Sequence, residues 1–506
     1  MEMRKIKRAL ISVYHKEPAR KLIESLNSQG CELYSTGGTH TWIQELGIPV
    51  KAIDEITSYP SILGGRVKTL HPSVFGGILA RRGLKSDQEQ VEQHQIPLFD
   101  MVVVDLYPFE ETLASGGSHD DMIEKIDIGG ISLIRAAAKN YFDVTVVPSA
   151  EYFDHVSALL QSGHGEITLA ERKKLAAAAF DVSSYYDTAI FHYLQGEEQQ
   201  VFKYDVRPSM LLRYGENPHQ QGSFFGQLDR NFEQLNGKSL SYNNLLDIDA
   251  AIALMADFSD PCFAIIKHTN VCGIAVRDDL AGAWKAALEG DPVSAFGGII
   301  ITNRPVTKDV AISISDLFYE VLLAPSFKED SLDILRQKKN RIILKTKHIP
   351  GSDAGFRSVL NGILWQTADR GSVAKEQWHH ATRVVPSELE ATDLFFANIV
   401  VKHLKSNAIS LVRNKQLLGI GAGQTSRVDA LKQAIAKARA FGHDLNGAVM
   451  ASDAFFPFPD CVEIAYEAGI TSVIQPGGSV KDQESIDYCD KTGMSMVFTG
   501  RRHFKH

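Results

Sequence analysis

The chain has 506 residues, about three domains' worth at roughly 150 residues each. Hydrophobic residues make up 44% and charged residues 23%, close to the soluble globular average, and no run approaches about 18 consecutive apolar residues; disordered, collagen-like and membrane-spanning classes are excluded. With 53 Lys+Arg against 61 Asp+Glu the formal charge is −8, which argues against a broad nucleic-acid binder, so any anion site must be built locally.

The basic start, Met1 to Arg8, precedes an apolar stretch too short for a signal peptide, and Ala9–Val13 reads as a first buried strand. Lys21 to Leu26 has helical spacing, and Cys31–Ser35 is the next strand, ending in Thr36-Gly37-Gly38-Thr39 before another helix. Met101 to Leu106 is a continuous apolar strand, as expected when both sheet faces are covered. A helix over 131–141, a strand over 144–147 and an Ala-rich helix from Leu169 to about Leu194 follow; the alternation implies a mostly parallel sheet flanked by helices. The polar stretch Gly196 to Gln200 marks a boundary, giving domains 1–198 and 199–506. The second is again α/β, and Phe263–His268 with its following helix and aromatic loop parallels Leu418–Gly423 with its own. Such a parallel suggests a duplicated unit, although α/β folds repeat the pattern anyway. Five cysteines, none at C-x-x-C spacing, suggest neither a disulfide framework nor a zinc site, and a cytoplasmic address is expected.

Three N-terminal segments suit an anion. Glycines in Thr36-Gly-Gly-Thr39 let backbone approach a ligand at a helix start, though the same residues also make an ordinary turn. Gly64-Gly-Arg-Val-Lys-Thr-Leu-His-Pro72 presents Arg66, Lys68, Thr69 and His71, suited to a phosphate or carboxylate or to a solvated basic turn. Asp127-Ile-Gly-Gly-Ile-Ser132 opens a helix on which Arg135 and Lys139 are four apart, so an anion between them would relieve their repulsion; equally, both can face solvent.

In the C-terminal part, Lys267-His268 closes an apolar strand ahead of a Gly-containing loop, Thr269 to Gly273. A neighbouring ammonium disfavours imidazolium, so His268 would act as a base; the alternative is a hydrogen-bonded core histidine. Gly419-x-Gly-x-Gly423 imitates a dinucleotide fingerprint, but its third Gly is one position early and no acidic residue ends a second strand about 20 positions on; a dehydrogenase is rejected.

Longer blocks carry a resemblance. Ser35-Thr-Gly-Gly-Thr39, the 64–72 block, Leu106-Tyr-Pro-Phe109, Ile126-Asp-Ile-Gly-Gly130 and Ser132 to Asn140 are similar to the cyclohydrolase half of the bifunctional AICAR transformylase/IMP cyclohydrolase family. Leu212 to Gln220, Lys267-His-x-Asn-x-Cys-Gly273, Ser294 to Gly298, Gly419 to Arg427, Ser452 to Phe458 and the Arg502-to-His506 terminus resemble its transformylase half. The resemblance implies a methylglyoxal-synthase-like α/β domain followed by two cytidine-deaminase-like α/β units without zinc, in an intertwined homodimer. It implies formyl transfer from 10-formyltetrahydrofolate to AICAR and cyclisation of the product to IMP, with no metal required and no nucleic-acid or membrane partner. A non-catalytic, anion-sensing N-terminal domain is the alternative. Carried over residue by residue, Lys139 is the cyclohydrolase proton-transfer group beside Tyr107 and Asp127, and Ser12, Lys16, Thr36, Gly37, Gly38, Thr39, Arg66, Lys68 and Thr69 hold the nucleotide. Lys267 and His268 are the transformylase pair, and Asn407 orients the amine. Arg213, Tyr214, Arg427 and Arg502 grip the ribonucleotide, Gly297 and Glu320 touch its polar groups, and Phe455, Asp460 and Ser479 meet the folate. The chain departs from the family pattern at Tyr14-His15 (usually Ser-Asp), Asp105 (usually Asn) and Val271 (usually Pro). Asp105 would repel a phosphate substrate unless it points away or has a cationic partner.

Overall fold

A computed structural model describes residues 3–196, 201–207, 209–347 and 354–506. The chain forms two compact units, 1–205 and 206–506; the boundary expected at 198/199 lies outside the described residues. No helix among the described residues is long and apolar enough to cross a membrane.

In the first unit, β1 (Arg8–Val13), β2 (Glu32–Ser35), β3 (Lys51–Ala52), β4 (Met101–Asp105) and β5 (Thr145–Val147) form a parallel sheet in the order β3-β2-β1-β4-β5. Its middle strands are apolar without alternation because both faces are covered: Ala9 to Ile11 and Met101 to Val103 are wholly buried. Helices α1 (Gly37–Glu45), α2 (Gly129–Lys139) and the 27-residue α3 (Leu169–Gln195) flank it. Thr168 caps α3 by accepting the Glu171 N–H, and the buried Arg172 guanidinium donates to the carbonyls of Tyr141, Phe142 and Ile167. The strand order runs outward in both directions from the β1–β4 pair, so a crevice opens beyond their carboxyl ends, the place where such sheets bind ligands.

The second unit contains one 12-stranded sheet built from two copies of a motif. The first copy runs α4 (Tyr242–Met255), β6 (Cys262–Lys267), β7 (Asn270–Val276), α5 (Leu280–Gly290), β8 (Ile299–Thr302), β9 (Val321–Ala324) and β10 (Ile342–Thr346). The second runs α6 (Glu388–Lys402), β11 (Ile409–Arg413), β12 (Gln416–Gly421), α7 (Arg427–Ala440), β13 (Val449–Ser452), β14 (Ser472–Gln475) and β15 (Ser495–Phe498). Each opens with an antiparallel hairpin, adds its third strand antiparallel to the first, and continues in parallel. The copies meet where Ala275 of β7 pairs with Gln416 of β12, and from that seam the order is mirrored to strands Phe232–Asn236 and His379–His380 at the edges. The duplication is real, but its register differs from the sequence parallel: β6 corresponds to β11, not to the 418–423 stretch, which belongs to β12. Apolar runs of similar length led to the wrong partner.

Candidate active sites

A cleft of about 940 Å³ lies at the carboxyl ends of β1 and β4. Ser12, Lys16, Thr36, Gly38, Thr39, Arg66, Lys68, Thr69, Tyr107 and Asp127 all line it, five separate segments brought together by the sheet. Thr39 ties the start of α1 to β1, its hydroxyl donating to the Val13 carbonyl at 3.0 Å. The Thr36 hydroxyl makes no capping bond, so the first N–H groups of α1 are open to an anion. Two ammonium groups flank that helix start. A Cβ built on Gly38 would lie 3.8 Å from Lys16 Cε, and one built on Gly37 would lie 3.3 Å from Lys68 Nζ. Lys68 also packs over Gly65, whose φ of +92° disfavours any side chain and where an added Cβ would lie 2.7 Å from Lys68 Cε and displace that lysine. Arg66, exposed at the mouth, pairs with Glu124.

Deeper in, Asp127 accepts the Gly130 N–H at 2.7 Å. Burial pushes its carboxyl up from the ordinary value, against the pull of backbone hydrogen bonds from Gly130 and Tyr107 and the Lys68 charge. Burial and the Asp127 charge likewise raise the Tyr107 phenol, with Lys125 opposing them. Tyr186 of α3 fixes this corner, its hydroxyl donating to the Lys125 carbonyl and accepting the Asp127 N–H. A perturbed acid and a phenol beside two cations suit proton transfer on an anionic substrate.

Lys139 is not brought to the cleft. It is exposed at the far end of α2, about 15 Å along the helix axis from Gly129. Arg135 lies 5.5 Å from the Phe180 ring centroid. Lys125, which sequence reasoning missed, also lines the cleft, two residues before Asp127.

In the second unit the Gly-containing loop expected after Lys267 is absent: His268 and Thr269 alone form the turn between β6 and β7, with φ of 52° and 62°. Asp247 of α4 holds that turn, accepting the Thr269 N–H at 2.6 Å and a backbone N–H of His268. Lys267 Nζ donates to the Phe296 carbonyl at 2.7 Å, next to Gly297, whose N–H donates to the Phe318 carbonyl. Glu320 accepts from Asn244 of α4 at 3.1 Å and pairs with Lys238 at 3.4 Å. Lys267, His268, Gly297 and Glu320 thus form one cluster, with Asp247 its unforeseen support.

A second cluster centres on Arg427, which donates to Asn407 at 2.8 Å, to the wholly buried Asp453 at 2.7 Å and to the Phe455 carbonyl at 3.2 Å. Among the described residues no hydrogen bond or ion pair links the two clusters. Asp460 begins the helix Asp460–Glu467, Ser479 accepts the Lys481 N–H, and the exposed Arg213 and Arg502 lie over the rings of Tyr214 and Phe504. Gly419 and Gly421 have a packing role: a Cβ on either would meet the α7 carbonyls of Ala434 or Ala430 at 2.3 and 1.8 Å. They let a helix lie on β12 and make no phosphate loop. Among the described residues, no group of three or more His, Cys, Asp or Glu side chains is placed to hold a metal ion.

Comparison with known proteins gives concordant results. The AICARFT/IMPCHase bienzyme family matches residues 137–437, and the MGS-like domain matches residues 19–132. The bifunctional purine biosynthesis protein PurH of Bacteroides thetaiotaomicron is 56% identical over 505 residues, covering 100% of both chains. Those of Aquifex aeolicus and Chloroflexus aurantiacus are each 46% identical, over 99% of this chain and 100% and 99% of theirs.

Proposed function

The chain belongs to the AICARFT/IMPCHase bienzyme family, and from that premise we propose how its two units divide the chemistry. It is a bifunctional enzyme of purine biosynthesis acting on small molecules: it transfers a formyl group from a folate-type co-substrate to AICAR and closes the product to IMP. Cyclisation is assigned to the first unit's cleft. The carboxamide nitrogen attacks the formyl carbon and water leaves; proximity within one molecule supplies much of the acceleration. Lys16, Lys68 and the α1 amino end take the phosphate, and Asp127 and Tyr107 handle protons beside the Lys68 ammonium. Lys139 has resemblance alone in its support. The observation that carries this reading is the pairing of an open helix start between two lysines with a buried, raised carboxyl in one cleft.

Formyl transfer is assigned to the second unit, with 10-formyltetrahydrofolate as the donor. The AICAR amine, conjugated with its ring, is a poor nucleophile. His268 takes its proton while the Lys267 ammonium faces the tetrahedral oxyanion and the departing folate nitrogen; one such preorganised donor is worth about 3–4 kcal/mol in other enzymes. Asn407 and Arg427 hold the nucleotide from the second cluster, and a homodimer is part of the proposal. Two clusters with no bond between them suit a site completed by a second copy. So does the hairpin of Ala354–Val359 and Gly362–Thr367, which exposes Leu360, Ile363, Leu364 and Trp365. A cytoplasmic location accords with five cysteines that are all free thiols.

The test supplies the purified protein with AICAR and 10-formyltetrahydrofolate and follows IMP. Lys267→Ala is expected to abolish formyl transfer and leave cyclisation of added formyl-AICAR intact; loss of both together overturns the two-site division.

A further inference from the structure

Asp105 ends β4 and lines the same cleft as Lys16 and Lys68. A bare carboxylate here opposes an anionic substrate, and its field already reaches Asp127, whose carboxyl it helps to raise. Asp105 is not bare. The backbone N–H of His15 donates to its Oδ2 at 2.8 Å, and the ring Nδ1 lies 2.9 Å from the same oxygen. Neutral imidazole can donate one N–H in this geometry, and imidazolium adds opposite charge, so either form of His15 engages the carboxylate. On the far side, His15 Nε2 lies 3.7 Å from the exposed Glu111.

The same contact orders the cleft wall. Tyr14 donates its backbone N–H to the Asp105 carbonyl at 3.2 Å, and its ring stands edge-on to His15 and to Tyr107 at 4.9 and 5.7 Å between centroids. Lys125 reaches the Tyr14 hydroxyl at 3.3 Å and lies 4.9 Å from that ring's centroid. His15, Asp105 and Tyr14 therefore pack together beside Tyr107.

We propose that His15 is a positioning residue for the cyclisation reaction: its ring, engaging Asp105, holds that carboxylate and offsets its charge on the wall of the cleft that takes the substrate phosphate. The proposal rests on the assignment of cyclisation to this cleft.

The experiment compares the full-length enzyme with His15→Ala, Asp105→Asn and the double variant, using formyl-AICAR as substrate. His15→Ala is expected to raise KM about tenfold with kcat within about twofold, as an unpaired like charge would, and the increase should shrink as salt rises. Asp105→Asn should stay near the parent KM, and the double variant should return to it, because no charge remains for His15 to engage. A double variant as impaired as His15→Ala, or an unchanged KM for His15→Ala, overturns the proposal. Formyl transfer in the same preparations reports that the protein is folded. Calorimetric binding of AICAR, which carries the same sugar-phosphate but has no formyl carbon to close on, reads the pair without turnover: absence of cyclisation by the parent enzyme counts against the site assignment, and absence of the binding pattern counts against the pair.

Discussion

The two copies in the second unit carry the same turn with different cargo. In each, the sixth residue of the leading helix, Asp247 or Asp393, accepts two backbone N–H groups from a two-residue turn whose residues both have positive φ. In the first copy the turn is His268-Thr269; in the second it is Asn414-Lys415, at 53° and 51°. Asn enters this left-handed region readily, whereas β-branched Thr does so at a cost of about 1–2 kcal/mol. The copy that carries the proposed formyl-transfer pair accepts the less comfortable residues, and its half-buried aspartate holds them there. Conformation comes from the shared scaffold, and on the proposed assignment the chemistry comes from side chains that only one copy displays.

Alanine at matched positions should separate these contributions. His268→Ala is expected to reduce formyl transfer by about 10²–10⁴-fold, whereas Asn414→Ala leaves it within about twofold; equal losses would erase the distinction between the copies. The supporting carboxylates come next. Asp247→Ala and Asp393→Ala each strand two backbone donors and should cost about 1–3 kcal/mol in denaturant unfolding, yet only Asp247→Ala should also slow formyl transfer. The smallest effect is on pH dependence. Burial raises both carboxyls, so each native form binds its proton more tightly than the unfolded chain does. The associated stability is full below the unfolded carboxylate pKa and is lost as pH rises through the raised one. Replacing either Asp by Asn should flatten the unfolding free energy across that window, measured by urea titration at successive pH values.

Much of the first unit was legible because its signals are local. Strands buried on both faces read as unbroken apolar runs, and Gly-Gly pairs beside lysines marked the cleft before any geometry was known. Lys125 escaped notice because it stands just outside the Ile126–Gly130 block, and Asp247 because its helix carries no motif of its own. The His268-Thr269 turn was hidden for a related reason: hairpins of this shape are usually announced by Asn-Gly or Asp-Gly, and neither is present. Spacing alone put Lys139 beside Arg135, but a shared helix face says nothing about which end of the helix meets the cleft. Asp105 was recognised as a problem in the sequence, and its answer lay ninety residues away in His15.

The second turn has found other employment at the seam of the large sheet. Its Asn414 and Lys415 carbonyls take the Arg277 guanidinium, the Lys415 carbonyl also receives the Val276 N–H at 3.0 Å, and Gln416 binds both the other Arg277 nitrogen and the Ala286 carbonyl. With one registered strand pair joining the halves, these bonds are the mortar of the join. A duplicated hairpin that serves as masonry on one side is spared that duty on the other, where the His268 side chain of its twin is left exposed.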